Sequence, residues 1–160
     1  EAKLRAEQER IEAEKRAKAK AEREAYLLSL PDDEFVYFQK GNGKLGFKLK
    51  STRETIIPAI YDNVGSLCEG LVAAKLNDKW GFVDKTGKEV IPLKYDDILP
   101  YFSEGLATVK LNGKWGFLDK TGNEVIPLKY DDASPFSKGK AKVKLNGETF
   151  YIDKNGNRVK

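Results

Sequence analysis

The sequence predicts a mainly β protein in which tandem antiparallel β-meander or hairpin repeats follow a long charged α-helix. Residues 1–29 contain neither Gly nor Pro and consist largely of Ala, Glu, Lys and Arg, the strongest helix formers. After Pro31 the chain becomes rich in β-branched and aromatic residues and in Asn-Gly pairs, which indicate strands and hairpins. This second part repeats itself every 35 residues. We therefore divide the chain into a helix at 1–30 and a repeat array at 31–160.

Composition excludes several classes of function. The chain has 160 residues, of which 40% are hydrophobic, and no apolar stretch approaches the length of a membrane span. It contains no His, so catalytic triads and zinc sites are nearly excluded. The net charge of +4 is too small to imply nucleic-acid binding without a clustered basic patch. We expect a non-enzymatic protein without cofactor or metal.

The single cysteine, Cys68, cannot form an internal disulfide. The fold is therefore independent of the redox compartment, and both the cytoplasm and the cell envelope or periplasm remain alternatives. We align Cys68 with Phe102 and Phe136 of later repeats and predict that it lies in the core. The sequence starts at Glu1 and contains no Met, so we expect this start to be a processed or otherwise defined boundary.

The predicted helix carries its charges at helical spacing and ends before Pro31, because the residue before a proline disfavours the α region. Acidic residues precede basic ones by four positions, as at Glu14 and Lys18. Its large apolar residues are sparse, since Leu4 and Ile11 are one heptad apart but have no successors. A solvated stalk or linker is favoured, with a coiled coil as the alternative.

Apolar residues concentrate at the end of the helix. The candidate contacts with a partner or with the following domain are Tyr26, Leu27 and Leu28.

Two nearly identical segments establish the repeat. Lys79–Gly87 recurs as Lys114–Gly122, and Val90–Asp97 recurs as Val125–Asp132. The outer copies are eroded, as in the end units of repeat arrays. We place the units at about 36–70, 71–105 and 106–139, with a partial unit at 140–160.

One unit shows the expected structure. Leu106–Leu111 alternates with period two, and Asn112-Gly113 favours a type I′ hairpin turn. The return strand is Trp115–Asp119, and a third strand, Glu124–Ile126, stops at a proline. The stretch 130–139 is loop-like. Each unit is thus predicted to be a three-stranded antiparallel meander.

The repeated aromatic residues are expected to pack within and between units, since a tryptophan buries a large area. Gly81 and Gly116 follow the tryptophans and indicate that a backbone or a ring lies close to them. The predicted packing residues are Trp80, Trp115, Phe82, Phe117, Tyr95, Tyr130, Phe102 and Phe136.

The acidic residues also recur, but their spacing does not match a calcium loop. For Asp84, Asp119, Asp153 and the Asp pairs after each Tyr, we expect turn-forming and capping roles. The repeat contains no feature that distinguishes one pair as catalytic.

Lys140, Lys142 and Lys144 share one face of a predicted strand. Two interpretations remain: the lysines protect an edge strand or a terminal face, or they contact an acidic partner. Thr108 and Lys110 occupy the equivalent face one unit earlier, so the basic row is not repeated. This disfavours nucleic-acid binding.

The motif Lys-Trp-Gly-Phe, followed by Asp-Lys-Thr-Gly and Val-Ile-Pro-Leu-Lys-Tyr-Asp-Asp, resembles the WG repeat family of bacterial β-repeat proteins. The likeness covers roughly 35–160, is weak at Lys44–Phe47 and is lost at Thr149-Phe150. The resemblance implies a tandem β array with no established catalytic activity, for which a binding or scaffolding role is expected. The helix is outside the family pattern.

We therefore expect a protein–protein interaction or scaffolding module that a helix joins to a larger assembly. The alternative is a cell-wall or glycan-binding module in which Trp80, Trp115, Tyr95 and Tyr130 form stacking platforms.

Overall fold

The structure, a computed structural model, describes residues 1–99 and 101–160. These residues form two compact units, Glu1–Pro31 and Asp32–Lys160. The first is a single helix, and the second begins with a short 3-10 helix, Asp32–Glu34, and continues as antiparallel β-sheets. Within the described residues, no helix combines the length and apolar character that crossing a membrane requires.

Helix α1 spans Ala2–Ser29, about 42 Å at 1.5 Å per residue. It ends as predicted, because Leu30, the residue before the proline, is extended, with φ −69° and ψ 147°. Glu14 pairs with Arg10 at 2.7 Å and not with Lys18, although the spacing of four residues is the predicted one. Leu4 and Ile11 are exposed.

Four sheets follow one another along the chain, and in each the neighbouring strands are consecutive and antiparallel. The first sheet contains β1 (Phe35–Gln39), β2 (Leu45–Leu49) and β3 (Thr55–Tyr61). The second contains β4 (Asn63–Val64), β5 (Leu71–Leu76), β6 (Lys79–Asp84) and β7 (Glu89–Tyr95). The third contains β8 (Asp97–Ser103), β9 (Leu106–Leu111), β10 (Lys114–Asp119) and β11 (Glu124–Tyr130). The fourth contains β12 (Asp132–Ala133), β13 (Lys140–Leu145), β14 (Glu148–Asp153) and β15 (Arg158–Val159).

The mainly β fold with antiparallel meander repeats and one N-terminal helix is as predicted, but the three-stranded unit is wrong. The stretch taken for a loop supplies a further strand to the following hairpin, as where Ile98 pairs with Val109 and Asp132 with Lys144. This strand is only two residues long in the second and fourth sheets, too short for a visible alternation of apolar residues. The last three sheets thus begin at 63, 97 and 132, one strand upstream of the predicted units.

The hairpin turns follow from residues that tolerate positive φ. Asn112 and Gly113 have φ of 52° and 80°, the signs that a type I′ turn requires. Asn146 and Gly147 repeat these values closely in the fourth sheet, at 51° and 82°. The Asn-Gly pairs therefore form the predicted turns.

Gly116 lies under a bulge of the neighbouring strand. Trp115 pairs with Tyr130 and Phe117 with Ile126, so three residues of β11 face this one glycine. A Cβ at position 116 would lie 2.8 Å from the carbonyl oxygen of Ile126. The predicted close approach is thus made by backbone, and Pro127 is tolerated because the bulge needs no N–H from it.

The core of the array lies between successive sheets. Leu71 and Ala73 of the second sheet are buried in one cluster with Ala107 and Val109 of the third. One face of each inner sheet therefore packs against the opposite face of the next. The same arrangement joins the third and fourth sheets through Leu106, Phe117, Ala141, Val143 and Ile152.

Candidate functional surfaces

The aromatic rings of neighbouring sheets meet edge to face. The ring centroids of Phe82 and Phe102 are 4.8 Å apart at an interplanar angle of 67°. Phe117 and Phe136 repeat this contact at 4.8 Å and 71°. Such pairs add about 0.5–1.5 kcal/mol to the burial of the rings themselves.

Three of the four aromatics proposed as stacking platforms are inside the array. Tyr95, Tyr130 and Trp115 are buried, and Trp115 is only 9% exposed. Burial raises the pKa of the Tyr95 and Tyr130 hydroxyls, and the nearby Glu124 carboxylate raises that of Tyr95 further. Trp80 is half-buried. Of the four aromatic residues proposed to stack on a glycan, Trp80 alone therefore remains a candidate.

A first ladder of carboxylates joins the sheets at the residue after each repeated tyrosine. Asp96 accepts a hydrogen bond from the Lys79 ammonium of the second sheet. Its other oxygen accepts the Asn112 N–H, in the hairpin turn of the third sheet, at 2.9 Å. The first ladder consists of Asp62 with Lys44 and Asn77, Asp96 with Lys79 and Asn112, and Asp131 with Lys114 and Asn146.

These contacts stabilise the ionised carboxylates. The ammonium hydrogen bond is the main cause of a lowered pKa at Asp62, Asp96 and Asp131, and the turn N–H adds to it. The ion pairs are partly exposed, so salt weakens them. Their main effect is to fix the position of each hairpin relative to the preceding sheet.

A second ladder runs through the Glu-Gly turns. Glu104 accepts the Gly139 N–H at 2.9 Å and lies 3.5 Å from the Lys154 ammonium, both in or next to the fourth sheet. The second ladder consists of Asp32 with Gly70 and Lys85, Glu69 with Gly105 and Lys120, and Glu104 with Gly139 and Lys154.

The last sheet reverses the charge at both ladder positions. Glu148 stands where Lys79 and Lys114 stand in earlier sheets, and it pairs with Arg158. Lys138 stands at the acidic position of the second ladder. The fourth sheet thus differs from the others in the residues by which a further sheet would be held.

The carboxylates at the ends of the return strands form turns, as expected. Asp119 accepts the Thr121 N–H at 2.9 Å and the Thr121 hydroxyl at 2.6 Å. The hydroxyl contact is the main cause of a lowered Asp119 pKa. Asp84 and Asp153 make equivalent contacts with backbone N–H groups. Across 1–99 and 101–160, no group of three or more metal-ligating side chains is assembled for a metal ion.

The alignment of Cys68 with Phe102 is wrong by one residue. Cys68 forms a bridge with Leu71, in the way that Ser103 pairs with Leu106. Its thiol donates to the Phe102 carbonyl at 3.4 Å, and the Ser103 hydroxyl donates to the corresponding Phe136 carbonyl. Cys68 is therefore a partly buried hydrogen-bonding residue, equivalent to serine. Sequence gaps of one residue between units concealed this.

The three lysines of the predicted basic row are exposed and extend from one face of β13. The edge-strand interpretation is wrong, because β13 pairs with both β12 and β14. The row belongs to the face that earlier sheets bury, where Leu71 and Ala73 stand in β5. The ammonium of Lys140 lies 4.9 Å from the centroid of the exposed Tyr151 ring. We call Lys140, Lys142, Lys144 and Tyr151 the end face.

The candidate residues at the end of helix α1 differ in exposure. Tyr26 and Leu28 are about half exposed, whereas Leu27 is buried. The Arg23 guanidinium lies 5.5 Å from the centroid of the Tyr26 ring. A role in partner binding stays a prediction for these residues.

A groove crosses the first three sheets and was not predicted from the sequence. Its volume is about 620 Å³, and its wall includes the aromatic rings of Tyr37, Trp80 and Tyr101. Tyr37 and Tyr101 are 68% and 43% exposed. The only signal in the sequence was a one-residue insertion at 99–101 relative to the other units. We call it the aromatic groove.

Stacked antiparallel meander sheets with a recurring sequence and recurring carboxylate contacts define a tandem β-repeat protein. The sequence profile described as WG containing repeat matches residues 50–80, 80–115 and 115–148. The chain belongs to the WG repeat family, which confirms the resemblance. A search of the curated proteins gives no match.

Proposed function

We propose that the array is a non-enzymatic interaction module whose end face binds an acidic segment of a partner protein. The observation that carries this proposal is the change of one strand face from buried to charged. Leu106 and Thr108 are buried on this face of the third sheet, whereas Lys140 and Lys142 occupy the same positions in the fourth and are exposed.

The spacing of the end face suits carboxylate side chains. Alternate residues of a strand lie about 6.6 Å apart on one face, so the three ammonium groups form a short row. A cleft of about 260 Å³ is lined by Asp132, Ala133, Ser134, Lys142, Val143, Lys144 and Thr149. Two ammonium groups outnumber the one carboxylate, and two hydroxyls add donors, a combination that favours an Asp or Glu side chain.

The surroundings of the row favour protein over nucleic acid. Asp131 and Asp132 flank it: Asp132 is the cross-strand neighbour of Lys144, and Asp131 is close enough to Lys144 for the lysine to lower the pKa of its carboxyl group. A phosphate backbone requires a longer uninterrupted basic surface. A short acidic peptide segment can avoid the flanking carboxylates.

The ladders support the non-enzymatic part of the proposal. Asp96 and Glu104 are already engaged by cations and N–H groups in equivalent ways along the array. Catalysis commonly depends on groups with unusual surroundings that differ from their neighbours. Here the recurring carboxylates have repeated structural contacts.

Binding of a fluorescent decaglutamate peptide tests the proposal by anisotropy. We expect measurable affinity that falls as salt is raised, and a loss of about tenfold or more in the triple variant K140E/K142E/K144E, since tenfold is only about 1.4 kcal/mol. The matched control K40E/K50E/K88E has the same net charge but changes exposed lysines elsewhere.

Equal weakening by the two triple variants would contradict a localised end face and indicate general charge attraction. Tighter binding of single-stranded DNA of equal charge would favour nucleic acid instead. The variant Y26A/L28A tests the candidate residues at the end of helix α1. We expect it to leave the peptide affinity unchanged.

A further inference from the structure

The aromatic groove is built where the array departs from its own repeat. Leu45 occupies the position that Trp80 and Trp115 occupy in the next two sheets, so a large ring is missing from the first. Gly65 stands where the third sheet has Leu99, and the neighbouring Ser66 is also small. Small residues at two neighbouring positions leave the space between the sheets unfilled.

The corresponding space one unit further along is filled. Leu99 packs against the cluster that contains Trp115, and Trp115 is buried there. Trp80 lacks this cover and is half-buried. The indole of Trp80 therefore forms part of the groove wall, and the Lys75 ammonium lies 5.7 Å from its ring centroid.

Two exposed tyrosines extend the aromatic wall. Tyr37 projects from β1 and Tyr101 from β8, and neither has an aromatic counterpart at the equivalent place in other units. Because both rings stay exposed, they contribute little to the core of the array. Such aromatic clusters beside a concavity are typical of ligand sites.

The lining has polar groups but no charge. None of the described residues that line the groove carries a charged side chain, although 34% of the chain is charged. Asn63 and Ser66 provide an amide and a hydroxyl. Asn63 Oδ1 accepts the Val64 N–H at 2.9 Å, so its NH₂ group is the part that remains as a donor. The groove therefore suits a neutral ligand with hydroxyl groups.

We propose that the aromatic groove binds a neutral oligosaccharide with β-linked pyranose rings. Pyranoses with equatorial substituents present flat C–H faces that stack on Tyr and Trp rings, while their hydroxyls pair with amide and hydroxyl groups. The volume of about 620 Å³ lies within the range of about 300–1,000 Å³ typical of small-ligand sites. This site is separate from the end face, so either proposal stands without the other.

A proline-rich peptide is the competing occupant, since such peptides also dock in grooves lined by aromatic rings. The saccharide is favoured because Asn63 and Ser66 match a ligand that both donates and accepts hydrogen bonds along its length. Proline nitrogens donate none.

The test uses the full chain with W115F, which leaves Trp80 as its one tryptophan. Chitotetraose and cellotetraose are the probes, and Trp80 fluorescence and calorimetry are the readouts. We expect saturable binding of at least one probe, weakened about tenfold in Y37A and in Y101A, equivalent to about 1.4 kcal/mol. Y151A, at an exposed tyrosine of the end face, is the matched control and should leave the affinity unchanged.

Circular dichroism melts establish that the exposed-tyrosine variants fold like the parent. No response to either probe at millimolar concentration would overturn the proposal. So would binding that Y37A and Y101A do not weaken, or a proline-rich decapeptide that changes Trp80 fluorescence where both saccharides fail.

Discussion

Gly116 has no space for a methyl group, and this explains the glycine that follows the repeated tryptophan. The atoms nearest to a Cβ there include backbone atoms of Ile126 and Leu128 at 2.8 Å, which cannot move independently of the sheet. The glycine is therefore required by the neighbouring strand, and not by its own φ.

We expect G116A to lower the free energy of unfolding by about 1–3 kcal/mol, as overpacking does. Urea unfolding measures the change. The control is G41A, because no atom lies within 4 Å of the place that a methyl group on Gly41 would occupy, and its φ is not positive. Equal stability of G116A and the parent would contradict the close approach.

Asp96 links stability to pH through its ion pair. Its pKa in the folded protein is lowered, chiefly by the Lys79 ammonium and next by the Asn112 N–H. The stabilisation is therefore fully present above the unfolded-state pKa of about 3.9 and is lost as the pH falls through the lower folded pKa.

We expect the carboxyl carbon of Asp96 to titrate below about pH 3.9 in an NMR titration, with K79M moving the midpoint upward. The stability difference between the parent and D96N should be larger at about pH 7 than at about pH 2. If K79M leaves the midpoint unchanged, the lowered pKa of Asp96 has a cause other than the Lys79 ammonium.

At the scale of the element, the hairpin turns depend on residues that accept positive φ. Asn112 has φ 52° at the turn between β9 and β10. We expect N112A to cost about 1–2 kcal/mol, because a Cβ-bearing residue without a local polar contact is disfavoured there. N112G should be nearly neutral. Both variants remove the Asn112 amide, but only N112A adds strain to the turn. If N112A alone has a lower melting temperature than the parent, the turn conformation is the cause; if both do, loss of the side chain is.

The elements were predictable where local chemistry decides them. Pro31 ended the helix, and Asn112-Gly113 formed the hairpin, because each acts on its own backbone. The strand β8 was missed because it is defined by pairing with β9 and not by its own pattern of residues.

The surfaces were predictable only in part. The lysine row was visible, because alternation places residues on one face. That this face is buried in earlier sheets required the stacking of sheets, and so did the burial of Trp115 and the half-exposure of Trp80. The aromatic groove is the space that the smaller side chains of Leu45 and Ser66 leave empty. No local sequence pattern indicates such a space.

At the scale of the whole array, stability should depend on which interface is damaged. Ile91 and Ile152 are both fully buried, Ile91 in the cluster between the second and third sheets and Ile152 in the cluster between the third and fourth. The Ile91 side chain lies 3.4 Å from a Cβ position at Gly122 of the third sheet. Each Ile→Ala change should cost about 2–5 kcal/mol locally.

We expect I152A to raise amide exchange in the third and fourth sheets and to leave the first two protected, because each unit of a repeat array contacts only its neighbours. I91A should raise exchange in the second and third sheets. Hydrogen exchange with mass spectrometry measures both. Uniform loss of protection over all four sheets in I152A would show that the array unfolds as one cooperative body.

The reversed charges at Lys138 and Glu148 determine where a further repeat can be added to the array. A copy of 96–130 inserted after Tyr130 would place carboxylates next to lysines at both of its interfaces. The same copy added behind the fourth sheet would set lysine against lysine and carboxylate against carboxylate. Longer relatives or engineered versions should therefore arise by duplication in the interior, with the last unit carried along unchanged.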